Sequence, residues 1–278
     1  MKALVLPILL FLSACSNVFY QPARQHFIDP KQYKLDLRDV YFKSRDGTRL
    51  HGWHFPTKAK TKKGTVVQFH GNAQNLSTHF FSLYWLVDHG YDLFTFDYRG
   101  FGKSEGTPSQ EGVYQDALSA LEKGWELHRE QQGPLFVVYG QSLGGAVSLR
   151  AIPDSMHAAE IDLIVQDSTF SSYKDIAFEK LTSRWFLWPL SPLSYVLVSD
   201  AYASDEVFHK ITQPTLVIVG QKDPVIPQEF GKEIYQGISP KKKWLWKLPE
   251  GSHIDAYHHG DQRYRKELLD LLDSLQLP

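Results

Sequence analysis

The run Gly140-Gln141-Ser142-Leu143-Gly144-Gly145 follows a strand-like stretch, Leu135 to Tyr139, and opens a helical one. A tight strand-to-helix turn exposes its central hydroxyl at the positive end of a helix, where a nucleophile is favoured. Such a turn tolerates little bulk beside the nucleophile. Gly140 and Gly144 meet that need, and Gly145 lets the helix approach a sheet. A serine hydroxyl alone is a weak nucleophile; it needs a base, and the base needs an orienting carboxylate. Two later loops offer them: Asp223 after the run Leu216 to Val219, in Asp223-Pro224-Val225-Ile226-Pro227, and His253 after the last strand-like run, in Glu250-Gly251-Ser252-His253. The chemistry that this set could perform is acyl transfer to water. Asp167, just after Leu163 to Val165, is a second acid at the same edge; the Asp-Pro-Val-Ile-Pro setting favours Asp223.

These loops must be brought together by a framework. Val40 to Phe42 and Leu50 to Phe55 read as a hairpin turning at Asp46-Gly47. Thr65 to Phe69, Leu93 to Phe96, Leu135 to Tyr139, Leu163 to Val165, Leu216 to Val219 and Trp244 to Leu248 read as buried strands. Helical patterns lie between them at Ser77 to His89, Leu143 to Ala151, Gln228 to Tyr235 and Asp261 to Leu275. The clearest of them sets Val113, Ala117, Leu121 and Trp125 on one face. This alternation predicts an α/β fold, a mostly parallel sheet covered by helices on both faces after an antiparallel start. Parallel strands place the three loops at their carboxyl ends, where such sites form.

The chain has 278 residues, 42% hydrophobic, which suits one large domain. Its 30 basic and 31 acidic residues leave no positive excess for a nucleic-acid partner. One cysteine excludes an internal disulfide and a cysteine-rich metal site. His258, His259 and Asp261 form a poor metal set, since adjacent histidines do not readily chelate one ion. No metal and no organic cofactor is expected. The short basic runs Lys58 to Lys63 and Lys241 to Lys243 read as solvated turns that could also meet anionic lipid.

The single cysteine closes a distinctive N-terminus. Met1-Lys2 precedes an apolar run, Ala3 to Leu12, too short to span a bilayer but suited to a secretory signal. Leu12-Ser13-Ala14-Cys15 resembles the bacterial lipobox, which implies lipidation of Cys15 after removal of residues 1–14. By that resemblance Ser16, a non-Asp residue, favours the outer membrane, and the body would face the periplasm. Residues 15–34 are expected as a membrane-proximal tether and 35–278 as the catalytic domain.

From about residue 35 onward the sequence resembles the α/β-hydrolase-fold serine hydrolases, whose triad runs in the chain order Ser, Asp, His seen at Ser142, Asp223 and His253. Within them it is most similar to a group reading H-G-N-A near the oxyanion hole, which includes eukaryotic protein depalmitoylases and bacterial proteins labelled serine aminopeptidase-like. His70-Gly71-Asn72-Ala73 matches that motif, and Asp97-Tyr98-Arg99-Gly100-Phe101-Gly102-Lys103-Ser104 matches the loop that follows. The resemblance implies oxyanion donors in the backbone N–H groups of Leu143 and Asn72, with Ala73 the neighbouring choice. It implies a structural role for Asp97.

A cap insertion is expected at about residues 169–210. Within it Trp185 to Val198, broken by Pro189 and Pro192, is expected as a small buried cap helix over the sheet; the same residues also suit an apolar wall for an acyl chain or a membrane-touching patch. The expected function is hydrolysis of a small acyl ester or thioester, on a chain tethered to the envelope by its lipid anchor. The alternatives are an aminopeptidase-like serine peptidase and a non-catalytic envelope lipoprotein that binds or assembles.

Overall fold

The computed structural model describes residues 19–257 and 262–276. The signal segment, Cys15 and the His258/His259/Asp261 group lie outside them.

Valine, leucine, isoleucine and phenylalanine dominate the inner strands, and both faces of those strands are buried. β2 (Arg38–Lys43) and β3 (Arg49–Phe55) form the hairpin, turning through Gly47 in the left-handed region. β4 (Gly64–Phe69), β6 (Tyr91–Asp97), β7 (Leu135–Gln141), β8 (Leu163–Asp167), β9 (Thr215–Gly220) and β10 (Lys243–Leu248) complete an eight-stranded sheet of order β10-β9-β8-β7-β4-β6-β3-β2. β3 pairs antiparallel with β2 and β6; every other pairing in that sheet is parallel.

Period-two alternation divides the core. Val67, Val138, Val217 and Val219 point to one layer, with Val113, Ala117 and Leu121 of a long helix and Ala146 of the helix after Ser142. Val66, Val137, Leu216 and Ile218 point to the other, with Leu76, Leu83, Leu268 and Leu272. Among the described residues the α-helices in chain order are α1 (Leu76–His79), α2 (Phe81–Tyr84), α3 (Gln110–Gln131), α4 (Leu143–Ala151), α5 (Tyr173–Thr182), α6 (Ser194–Leu197), α7 (Gln228–Gly237) and α8 (Arg263–Leu275). Ser109 caps α3 by accepting from Gly112 N–H. The expected single helix at Ser77 to His89 is instead α1, α2 and a 3-10 stretch, Trp85–His89. Among the described residues no helix is long and apolar enough to cross a membrane.

Two regions depart from the sequence expectation. Residues 19–34, read as a tether, are packed on the body. Tyr20 is buried in the core, and a two-residue strand β1 (Gln21–Pro22) pairs parallel with β5 (Ala73–Gln74). Asn75 donates to the carbonyls of Ala23 and Gln25. Arg24 donates to the carbonyls of Ser104 and Gly106. These bonds tie the strap to the loop after β4 and to the stretch after β6.

The second departure is the cap. Trp185, Phe186, Trp188 and Tyr195 are exposed, not folded under as a buried helix. Pro189 and Pro192 limit the stretch to a 3-10 segment, Trp188–Leu193, followed by the single turn α6. Only one side of so short and irregular an element can face the body. α5 is the regular part of the cap; Ser172 caps it, and Asp200 accepts from the N–H groups of Tyr173 and Lys174.

Candidate active site

Ser142 sits between β7 and α4 with φ 51 and ψ -121, a conformation that costs a non-glycine residue roughly 1–3 kcal/mol. The surroundings enforce it. Ser142 N–H donates to the Asp167 carbonyl at 2.9 Å, and its own carbonyl accepts from Thr169 Oγ1 at 2.6 Å. A Cβ on Gly144 would run into the Phe69 carbonyl, and one on Gly140 would meet the Cα of Gly145. The glycines on either side of Ser142 are thus required by close approach of β7, α4 and the end of β4. As the first residue of α4, Leu143 has an N–H with no intrahelical acceptor, which leaves it available to an anion.

The loop after β4 lies against Ser142: a Cβ on Gly71 would come 3.5 Å from that of Ser142. Asn72 Oδ1 accepts from Gln21 N–H at 2.8 Å, so the strap fixes this loop from outside. His79 holds it from the other side, donating from Nε2 to the Ala73 carbonyl at 3.0 Å. Burial, helped by repulsion from His70, pushes the His79 imidazole down to about 4, so it is neutral at physiological pH. The sequence reading took Ser77 to His89 as a helix and missed His79; its one signal was a histidine six residues after Ala73.

His253 follows β10. Its Nδ1 donates to Asp223 Oδ2 at 2.8 Å, and the other carboxylate oxygen accepts from Val225 and Ile226 N–H at 2.7 and 2.9 Å. Asp223 is therefore held by its own loop and presents one oxygen to the ring. That contact leaves Nε2 of the neutral imidazole as the basic nitrogen. Asp167 is placed elsewhere. It accepts from Tyr139 Oη at 3.0 Å and from Ser168 Oγ, and Ser168 Oγ in turn accepts from Ile254 N–H. Complete burial raises the Asp167 carboxyl to about 6. Ser168 and Ile254 both have positive φ, so the backbone is strained on both sides of this link as well as at Ser142.

Ser142, Leu143, Gly71, Asn72, Ala73, His253 and Ile254 border one cavity of about 800 Å³. Opposite them its wall is apolar: Ile176, Leu181, Leu187, Leu190, Leu193 and Leu197 from the cap, with Phe19 from the strap. Among the described residues Lys180 and Arg184 are the charged residues of this lining, which includes no carboxylate.

Behind the loop after β4 lies a buried cluster. Asp97 accepts from Leu76 N–H at 2.8 Å, with His26 Nε2 at 3.6 Å, His70 Nε2 at 3.5 Å and His51 Nδ1 at 4.0 Å from its carboxylate. Burial alone would push Asp97 up, but the three imidazoles hold it below the usual carboxylate range. Among the described residues, His26, His51 and Asp97 are the group that could hold a metal ion, with ligand atoms within 4.8 Å of one another. None of the three borders the cavity, so an ion there would not touch a molecule bound beside Ser142. The cluster joins strap, hairpin and β6, in agreement with a structural role for Asp97.

The sequence pattern of the family described as serine aminopeptidase, S33 matches residues 60–204, just over half of the chain. The chain belongs to that family. It is 36% identical over 272 residues to "Uncharacterized protein YfhR" of Escherichia coli strain K12, covering 94% of this chain and 88% of the relative. It is 28% identical to "Alpha/beta hydrolase domain-containing protein WAV2" of Arabidopsis thaliana, over 90% of this chain and 83% of that one. Among solved structures it is similar to an esterase of Pyrococcus furiosus, with a TM-score of 0.73 at 21% identity, covering 92% of this chain and 98% of the esterase. That likeness and the sheet order establish the α/β-hydrolase fold.

Proposed function

We propose that this chain is a serine hydrolase that cleaves an acyl ester or thioester through an acyl-enzyme on Ser142. The observation that carries the reading is the convergence of a strained Ser142 and the His253–Asp223 pair on one apolar cavity. His253 Nε2 takes the Ser142 proton as Oγ bonds to the substrate carbonyl carbon. The resulting oxyanion is held by the N–H groups of Leu143 and of Asn72 or Ala73. Asp223 keeps the ring oriented and stabilises the imidazolium. As the carbon–oxygen or carbon–sulfur bond breaks, the leaving alkoxide or thiolate takes that proton. Water then attacks the acyl-enzyme, giving its proton to His253, and Ser142 is regenerated with release of a carboxylic acid.

The family description raises peptide hydrolysis as a second reading. An aminopeptidase must bind a substrate ammonium group, which calls for a carboxylate near the scissile bond. The cavity offers Lys180, Arg184 and leucines instead, which favours an acyl chain with an uncharged or anionic remainder. The N-terminal sequence adds the proposed setting: a lipid on Cys15 and attachment to the bacterial envelope, with the outer membrane favoured by Ser16.

The test is covalent labelling with a fluorophosphonate beside Ser142→Ala, followed by a chain-length series of ester and thioester substrates. Labelling of the parent alone is the expected result. An unlabelled parent with an intact fold would move the assignment to a binding protein.

A further inference from the structure

The outer surface of the cap belongs to neither core. Trp185 is 84% exposed, Phe186 57%, Trp188 60% and Val196 75%. Large exposed apolar patches on a folded domain mark something that covers them. The intervening Leu187, Leu190, Leu193 and Leu197 border the cavity. One short stretch thus carries an acyl-compatible wall on one side and an uncovered apolar surface on the other. Arg184 is the only charged residue in 184–198, and no carboxylate occurs there. Tryptophan beside phenylalanine with an arginine at the margin is the composition of an element lying at the headgroup level of a bilayer.

The path of the chain supplies an independent argument. Phe19 borders the same cavity and meets Tyr173, at the start of α5, edge to face at 5.2 Å. Phe19, the first of the described residues, therefore lies at the cavity, beside the cap. Cys15 lies four positions before Phe19, and four residue steps reach at most about 14 Å by any path. The apolar run ends at Leu12, three residues before that. Attachment to a membrane through either feature holds this end of the domain close to the lipid surface.

We infer that the exposed face of the cap, Trp185 to Val196, docks into the phospholipid leaflet, so that the cavity opens onto the leaflet and draws its acyl substrate from it without passage through water. The inference deepens the esterase or thioesterase reading and rests on it for the chemistry, but not for the docking. The basic pair Lys180 and Arg184 stands where lipid phosphates would lie, and the leucine wall receives the acyl chain.

The experiment uses the full chain bound to phosphatidylethanolamine–phosphatidylglycerol vesicles that contain a mid-chain brominated phospholipid. Of the seven tryptophans, Trp53 and Trp85 are buried, whereas Trp185 and Trp188 lie on the docking face. Brominated lipid is expected to quench intrinsic emission, and Trp185→Phe with Trp188→Phe to remove most of that quenching while preserving docking. In the triple variant Trp185→Gln, Phe186→Gln, Trp188→Gln, hydrolysis of a long-chain ester embedded in the vesicles is expected to fall about tenfold or more, as expected for loss of a buried apolar face. Hydrolysis of a water-soluble acetyl ester, which needs no docking, stays within about twofold and reports that the variant is folded. An inert parent on the acetyl ester would count against the chemistry alone, since quenching still reports docking. Unquenched Trp185 and Trp188 in the vesicle-bound chain, or equal activity of parent and triple variant on the embedded ester, would overturn the inference. So would a dimer in solution that the triple variant splits, which would assign the face to a second copy of this chain.

Discussion

The two walls of the cavity are built by opposite means. On the Ser142 side, Ser142, Ser168 and Ile254 hold unfavourable backbone angles because strands, glycines and hydrogen bonds leave no alternative. On the cap side the backbone is relaxed, the elements after α5 are a turn or two long, and large side chains face outward. One wall stores strain to fix a few atoms; the other spends little on its own order and supplies apolar area. The difference separates chemistry from selectivity. Reaction geometry must be held to fractions of an ångström, whereas an acyl chain needs only a dry surface of sufficient length.

Substitutions on the two sides should therefore differ in size and in kind. Ser142→Ala is expected to lower ester hydrolysis by about five to six orders of magnitude with the melting temperature little changed, measured by steady-state kinetics and thermal melts. Asp223→Asn should lower kcat by about 10⁴-fold through loss of the ring's orientation. Asp167→Asn, by contrast, should cost less than about tenfold, because its carboxylate is bonded to Tyr139 and Ser168 and reaches His253 only through charge and through the Ser168–Ile254 link. If the two aspartates proved equal, the assignment of the orienting acid would fail. On the cap, Leu190→Ala with Leu193→Ala should reduce kcat/KM for long acyl chains by about tenfold and much less for acetyl esters. A uniform loss across the series would show that the cap shapes the chemistry after all.

The smallest effect expected concerns pH. Burial raises Asp167 to about 6, so between about pH 4 and 6 the folded state holds a proton that the unfolded chain has released. Stability from this group is full below that window and declines as pH rises through it. Asp167→Asn should flatten the decline and raise stability at pH 8 by on the order of 1–3 kcal/mol, read from melts between pH 4 and 8.

The nucleophile wall was also the legible one. Glycine on either side of Ser142 and the chain order Ser142, Asp223, His253 are local patterns, and each is forced by a local clash or a strand end. The buried strands announced themselves because both of their faces are covered and their sequences are nearly unbroken apolar runs. The cap misled because aromatic residues suggest burial, whereas the outcome depended on how much surface lay beneath them. The strap was illegible for another reason. Its polar, proline-bearing composition matches a tether, and what seats it are contacts across long separations: the burial of Tyr20, and hydrogen bonds such as Gln21 to Asn72 and Arg24 to Ser104. His79 shares that difficulty: a histidine in an apolar helical pattern carries no mark of the carbonyl it will hold.

The strap also sets an order of assembly. It is synthesised first, yet its partners, Asn72 to Asn75 and the stretch Asp97 to Gly106, follow some 50 to 80 residues later. The N-terminal segment must wait, unpaired, while the sheet behind it forms, because closing so long a loop is favourable only once both sides exist. The support of the oxyanion-side loop is thus among the last parts of the molecule to be completed. Peripheral segments held by few bonds are also the first to open as a fold is stressed. Mild denaturant should accordingly silence the enzyme while the far-ultraviolet circular dichroism of the sheet is still intact, so activity is the early reporter of damage and secondary structure the late one.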